Sequence, residues 1–224
     1  METNIIKMIG VADLASLANA LSGMFAIIAA YYHQPIYAAL LLILAVAFDA
    51  IDWPLARRFP SNTKEVFGET MDSLADVISF GVAPAVILFE LYNNYLMLIP
   101  AVLLLSCGVL RLSRYNTIIT EQTGPTKTFI GLPIPVSSFM LSLILISQIQ
   151  NQYLIIILMT IIAILMVSNY KYPKIKNKLV FIVSAILLIP TLIIPLNQML
   201  YNIPSMTLIL LVICYILTPL YHKE

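Results

Sequence analysis

The sequence predicts an all-α protein, a polytopic membrane helix bundle of about eight transmembrane helices, on three observations. Of its 224 residues, 61% are hydrophobic and 10% are charged, whereas soluble domains carry roughly 25% charged residues. Apolar stretches recur along the whole chain, and most are long enough to cross a hydrocarbon core ~30 Å thick. The twelve Lys and Arg residues all lie in alternate connections between these stretches. We expect one transmembrane domain over residues 1–224.

Eight apolar segments are candidate spans, and they follow a short interfacial segment at residues 1–10. The segments are Val11–Tyr31, Ile36–Ala56, Asp72–Leu91, Leu96–Leu112, Leu132–Ile149, Tyr153–Val167, Leu179–Ile194 and Met206–Leu220. The first lacks the pattern of a cleaved leader, so we expect it to stay as a helix. Cys107 and Cys214 lie in apolar runs without metal-ligand spacing, which indicates packing residues and not a disulfide framework.

The distribution of positive charge orients these spans. Lys and Arg residues stand before the first span, after the second, fourth and sixth, and at the C-terminus; the intervening turns YYHQP, YNNY, QNQ and LNQMLYNIPS have none. Cytoplasmic loops carry the excess of Lys and Arg, and Tyr residues collect at membrane interfaces. We therefore predict a multi-pass protein of the cell membrane with both termini in the cytoplasm. An even number of spans is required, and eight fits every loop.

Four aspartates stand near the cytoplasmic ends of the second and third spans. Asp49 and Asp52 are three residues apart and Asp72 and Asp76 are four apart, so each pair lies on one helical face. Ionised groups inside a membrane are costly and usually functional, and the two arginines after the second span cannot neutralise four carboxylates. Oxygen ligands of this kind favour Mg²⁺, Mn²⁺ or Ca²⁺. We predict a divalent metal site; a helix-terminal acid cluster paired with those arginines is the alternative.

The aspartates belong to a longer pattern of residues in a fixed order. The residues are Asp49, Asp52, Ala56, Arg57, Gly68, Asp72 and Asp76. This pattern resembles the signature D-x2-D-G-x2-A-R-x8-G-x3-D-x3-D of the CDP-alcohol phosphotransferases. Trp53 stands where that family has glycine, and ten residues instead of eight separate Arg57 from Gly68. The segments SLANALSG, DSLADVISFGVAPA, RLSRYN and FIGLPIP are similar to the phosphatidylserine (or archaetidylserine) synthase branch.

The resemblance implies a fold and a reaction. A six-helix catalytic core would occupy approximately residues 11–150, with additional C-terminal helices over 151–224, and the protein would form a homodimer. The substrates would be L-serine and CDP-diacylglycerol or CDP-archaeol, held at a cytoplasmic-side active site in the lipid bilayer. The products would be phosphatidylserine or archaetidylserine and CMP. No nucleic-acid partner is expected.

The resemblance also implies roles for individual residues. Asp49, Asp52 and Asp72 would hold one Mg²⁺ or Mn²⁺ ion and Asp49, Asp72 and Asp76 a second, with Asp76 as general base toward the serine hydroxyl. The CDP-lipid-binding residues would be Asp52, Ala56, Arg57, Gly68 and Asn19, although Asn19 fits an interhelical hydrogen bond equally well. The candidates for the serine carboxylate are Arg111, Arg114 and Lys127. Alternatively, Arg111 and Arg114 are interfacial arginines that obey the positive-inside rule and bind no substrate.

Three other interpretations stay open from the sequence. Within the family, inositol phosphate or glycerol phosphate could replace serine, although a phosphate calls for a denser basic pocket. A cation-coupled transporter could use buried acids, but such sites usually lie at midplane on broken helices of internal repeats. A damaged enzyme is suggested by Trp53. We predict that the indole narrows the nucleotide site, so that Trp53→Gly tightens CMP or CDP-lipid binding at fixed Mg²⁺. The alternative is that the ring stacks beside the cytidine or the lipid as a tolerated variant.

Overall fold

The computed structural model describes residues 4–59, 65–121, 128–174 and 178–221, which are mostly α-helical. The helices are α1 (Ile5–Met8), α2 (Val11–Tyr31), α3 (Pro35–Arg58), α4 (Glu65–Asp76), a π-helical segment (Val77–Val82), α5 (Ala83–Tyr92), a 3₁₀ turn (Tyr95–Met97), α6 (Leu98–Glu121), α7 (Pro135–Ile146), α8 (Gln152–Val167), α9 (Lys178–Leu192), α10 (Ile194–Met199) and α11 (Ile203–Tyr221). Two short strands, β1 (Thr128–Ile130) and β2 (Lys171–Pro173), complete the fold.

Five of the described helical stretches are long and apolar enough to cross a membrane. They are Val11–Tyr31, Pro35–Arg58, Val66–Tyr92, Tyr95–Ile118 and Ile203–Leu220, and three shorter apolar helices cover Pro135–Ile146, Gln152–Val167 and Ile182–Leu192. Each of the eight segments singled out in the sequence overlaps one of these helices, and five of the helices extend beyond the predicted bounds. The predicted fold class, a polytopic helical membrane protein, is thereby confirmed. The strands and α10 were not predicted.

Small residues on α2 bring this helix close to its neighbours. α2 packs against α3, α4 and α5, and its buried positions are small or polar, among them Ser16, Asn19, Gly23 and Ala26. A Cβ added to Gly23 would lie 2.7 Å from the Cα of Ser79 in the π-helical segment. Only glycine permits this approach, which is how membrane helices pack where lipid offers no hydrophobic drive.

The third span changes its helical register directly after Asp76. In the π-helical segment the Ala83 N–H donates to the Ile78 carbonyl, five residues back. Pro84 has no N–H, so this turn lacks the donor that would reach the Ser79 carbonyl in a π register or the Phe80 carbonyl in an α register. Serines of α7 donate to this turn instead. Ser138 Oγ donates to the Ser79 carbonyl and Ser137 Oγ to the Phe80 carbonyl, each at 2.7 Å, and the Ile134 carbonyl is a second acceptor for Ser137 Oγ at 2.8 Å.

At the end of the bundle with the basic connections, a two-stranded clamp joins α6, α7 and α8. β1 and β2 pair antiparallel, with Phe129 opposite Tyr172. Gly131 follows β1 at φ +76°, a conformation that favours glycine. A Cβ there would also clash with the Met166 carbonyl.

At the opposite end, a buried polar cluster attaches the C-terminal helices to α7. Ser147 Oγ donates to Ser205 Oγ at 2.8 Å, and Asn197 Nδ2 donates to Asn202 Oδ1 at 2.9 Å. α9 and α11 also pack against each other, and α11 packs against α7.

Candidate active site

Three aspartates from α3 and α4 converge near the basic end of the bundle. Asp49, Asp72 and Asp76 each place one carboxylate oxygen within 4.8 Å of the others. Asp76 is 6% exposed, and the other two are half-buried. Oxygens that share one ion at 2.0–2.6 Å are at most about 5 Å apart, so both the spacing and the all-oxygen donor set fit a hard divalent cation.

Asp52 is the fourth predicted ligand, and it lies one helical turn from Asp49 toward the end of α3. Its Oδ2 accepts a hydrogen bond of 2.9 Å from Ser16 Oγ of α2. The structure therefore brings three of the four predicted ligands into one triangle and holds the fourth beside it against α2.

Asn19 holds the innermost carboxylate of the triangle. Its Nδ2 donates to Asp76 Oδ1 at 3.1 Å, and its own carbonyl accepts a 2.8 Å hydrogen bond from Ser79 Oγ. Asn19 is fully buried. Its Oδ1 has no hydrogen-bond partner among the residues that the structure describes.

Arg111 of α6 faces the same carboxylates. It interacts electrostatically with Asp49, Asp72 and Asp76, although it is only 6% exposed. Its guanidinium carbon lies 5.4 Å from the ring centroid of Tyr115, an arrangement that favours a cation over an aromatic face. Within the described part of the chain, its Nε has no hydrogen-bond partner.

Arg114, one turn further along α6, points its donors at backbone carbonyls. It donates to the Val167 carbonyl at 3.2 Å, the Ile130 carbonyl at 3.0 Å and the Met166 carbonyl at 3.1 Å. These bonds join α6 to the end of α8 and to β1, so Arg114 holds the two-stranded clamp in place. Its predicted contact with serine stays a prediction.

The remaining predicted residues lie at the outer edge of this region. Ala56 and Arg57 are exposed near the end of α3, and Gly68 of α4 is half-buried. A Cβ on Gly68 would come within 3.1 Å of Asp13 Oδ1. Lys127, the side chain of Trp53 and part of the lengthened Arg57–Gly68 connection lie outside the described residues.

Several residues around the site were missed in the sequence. Asp13 is 6% exposed and accepts a 2.7 Å hydrogen bond from the Gly10 N–H. The signal for it was an acid at the start of an apolar run. Ser16 and Ser79 carried no such signal, because a hydroxyl in a membrane helix usually bonds its own backbone.

Fold and site together define a polytopic helical membrane protein with a carboxylate cluster suited to a metal ion. The family model described as CDP-alcohol phosphatidyltransferase matches residues 9–168, and the chain belongs to this family of enzymes. The match includes every element that lines the site, together with α8. It supports an enzyme and leaves the transporter alternative without support.

Proteins similar to this chain occur in archaea, bacteria and yeast. The archaetidylserine synthase of Methanothermobacter thermautotrophicus is 35% identical over 178 residues, which cover 79% of this chain and 75% of the relative. The CDP-diacylglycerol–serine O-phosphatidyltransferase of Methanocaldococcus jannaschii is 36% identical over 184 residues, covering 82% and 83%. The Bacillus subtilis enzyme of the same name is 31% identical over 167 residues, covering 73% and 90%.

Proposed function

We propose that this protein transfers the phospholipid group of a CDP-linked lipid to L-serine, forming a phosphoserine lipid and CMP. The observation that carries the proposal is the triangle of Asp49, Asp72 and Asp76. It lies within the region matched by a family whose similar members are named as serine-using lipid synthases.

Four carboxylates would hold a two-ion Mg²⁺ or Mn²⁺ site. Asp49 and Asp72 would bind both ions, Asp52 would complete the first ion's ligands and Asp76 the second's. When bound, such ions polarise the phosphoryl group and stabilise the leaving diphosphate oxygen.

Asp76 acts as the general base in this proposal. The serine hydroxyl proton passes to the Asp76 carboxylate, and the serine oxygen forms a bond to the phosphorus on the lipid side of the diphosphate. The bond from that phosphorus to the bridging oxygen breaks, and CMP leaves with the bonding electrons. Because Asn19 donates to Oδ1 of Asp76, this base is oriented before serine arrives.

The CDP-lipid approaches from the outer edge of the site. Asp52, Ala56, Arg57 and Gly68 would receive the nucleotide and diphosphate, since the arginine fork suits phosphate oxygens and the two small residues admit a close approach. The lipid tails would stay in the bilayer. We place this edge on the cytoplasmic side, which the positive-inside rule supports. We also propose a homodimer, which the family resemblance supports.

The test is CMP release by the purified protein with Mg²⁺, CDP-lipid and L-serine. We expect Asp49→Asn, Asp72→Asn and Asp76→Asn each to abolish release, because ligands and base act as one unit whose losses are severe and non-additive. Arg58→Gln, a charge change at an exposed residue of α3, is the control. Activity above about a tenth of wild type in Asp76→Asn would remove it as the base, whose contribution is typically ~10²–10⁴-fold.

The same assay identifies which acceptor and which CDP-lipid the protein uses. L-serine is compared with inositol phosphate and glycerol phosphate, and CDP-diacylglycerol with CDP-archaeol. We expect CMP release with L-serine alone among the acceptors. Release that depends on a phosphorylated acceptor would overturn the proposal.

A further inference from the structure

Two buried polar atoms beside the aspartates have no hydrogen-bond partner among the described residues. They are Asn19 Oδ1, an acceptor, and Arg111 Nε, a cationic donor. Both side chains are more than nine-tenths buried. Leaving such atoms unpaired is unfavourable, so a pair of them at one site points to a ligand that carries the complementary groups.

The orientation of the Asn19 amide follows from its neighbour. Nδ2 donates to Asp76 Oδ1 at 3.1 Å, and the reversed amide would set two oxygen atoms against each other. Oδ1 is therefore the free atom, and it calls for a donor. Arg111 interacts electrostatically with the same Asp76, so the side chains that carry the unpaired acceptor Oδ1 and the unpaired donor Nε both act on one carboxylate.

We propose that Asn19 and Arg111 form the L-serine subsite, an inference that rests on the proposed function. The serine ammonium donates to Asn19 Oδ1, its carboxylate accepts from Arg111, and its hydroxyl lies at Asp76. In L-serine the ammonium nitrogen and the carboxyl carbon are each three bonds from the hydroxyl oxygen. Both recognition groups must then stand next to the base, as Asn19 and Arg111 do.

Arg114 and Arg58 are engaged elsewhere. Arg114 donates to three backbone carbonyls, and Arg58 is exposed, with its guanidinium over the ring of Phe59. One buried cation with one amide acceptor suits a zwitterion with a single carboxylate. A phosphate dianion would call for more than one positive group.

Acceptor analogues separate the two contacts. 3-Hydroxypropanoate keeps the hydroxyl and carboxylate of serine, and ethanolamine keeps the hydroxyl and ammonium. Each is measured as acceptor or competitive inhibitor in the CMP-release assay with wild type, Arg111→Gln, Arg111→Lys, Asn19→Leu and the exposed control Arg58→Gln. CMP binding and thermal unfolding report whether each variant is folded.

We expect substitutions at Arg111 and at Asn19 to weaken the binding of different analogues. Arg111→Gln raises the serine KM about 10- to 100-fold, the range for a lost charge-assisted hydrogen bond. The same substitution weakens the binding of 3-hydroxypropanoate and leaves the binding of ethanolamine unchanged. Arg111→Lys recovers part of the loss. Asn19→Leu weakens the binding of ethanolamine more than that of 3-hydroxypropanoate, and Arg58→Gln behaves as wild type.

Three results would overturn the inference. They are equal losses for both analogues in both variants, an Arg111→Gln effect on the CDP-lipid KM instead of the serine KM, and unchanged analogue binding in both variants. Wild-type protein that releases CMP with another acceptor but not with serine would instead overturn the proposed function itself.

Discussion

Gly23 controls how closely α2 approaches the segment behind the general base. A Cβ here would lie 2.6 Å from Ser79 Oγ and 2.7 Å from its Cα, and Ser79 in turn donates to the carbonyl of Asn19. Any separation of the two backbones would therefore disturb the 3.1 Å bond between Asn19 and Asp76.

We predict that Gly23→Ala lowers kcat for CMP release at least tenfold and lowers the melting temperature. The cause is overpacking, which typically costs about 1–3 kcal/mol. Gly81→Ala is the matched control, because a Cβ there meets Leu105 Cδ1 at an ordinary 3.5 Å. Equal kcat in the two variants would contradict the importance of the α2 contact.

For individual residues, the sequence predicted which charged side chains form the site but not which direction each side chain faces. Carboxylates within apolar runs are conspicuous, so Asp49, Asp72 and Asp76 could be predicted as a cluster. Arg111 and Arg114 could not be told apart, since residues three apart share a helix face. Tertiary contacts separate them: one faces the aspartates and the other faces the carbonyls of α8.

The third span shows how one proline shapes an element. The register widens after Asp76, Pro84 removes one backbone donor, and the hydroxyls of Ser137 and Ser138 donate to the Phe80 and Ser79 carbonyls. Proline in a membrane helix is tolerated when neighbouring helices satisfy the freed groups, and α7 does so here.

We predict that Ser137→Ala destabilises the protein by about 1–3 kcal/mol, the usual penalty for a buried unsatisfied carbonyl. Ser142→Ala is the control with a smaller effect, because Ser142 Oγ donates to a carbonyl of its own helix, that of Ser138. In a Pro84→Ala background the restored N–H can pair with Phe80, so the cost of Ser137→Ala should shrink. Thermal unfolding of the four variants provides the measurement, and an unchanged cost in the Pro84→Ala background would refute the explanation.

Elements differ in how far the sequence predicted them. Long apolar runs made the spans visible. β1 and β2 have three residues each, too few for an alternating pattern, and they pair across two intervening membrane helices. The positive φ of Gly131 and the carbonyl contacts of Arg114 became visible only in the folded chain.

The whole molecule places its carboxylates, its arginines and its two-stranded clamp at one end. The other end has the buried cluster of Ser147, Asn197 and Ser205 and the lysine-free turns. The family match reaches residue 168, and α6 packs against α8. We therefore propose that the catalytic unit includes α8, beyond the boundary near residue 150 expected from the sequence.

The last prediction concerns which end faces the cytoplasm. Tyr153, at the start of α8, is 71% exposed, and Lys171, just beyond its end, is exposed as well. Sixteen residues rising ~1.5 Å each extend about 24 Å, so the two positions report opposite sides of the membrane if α8 crosses it. Because basic residues are retained on the cytoplasmic side, we expect Lys171 inside and Tyr153 outside.

The measurement uses a background with Cys107→Ala and Cys214→Ala, into which Tyr153→Cys or Lys171→Cys is introduced. A membrane-impermeant maleimide should label Tyr153→Cys in intact spheroplasts and Lys171→Cys only after permeabilisation. Tyr201→Cys, 88% exposed in another lysine-free turn, should behave like Tyr153→Cys. Reversed labelling would place the active site on the outer face, away from the cytoplasm. Labelling of both α8 positions in intact spheroplasts would show that α8 does not cross the bilayer.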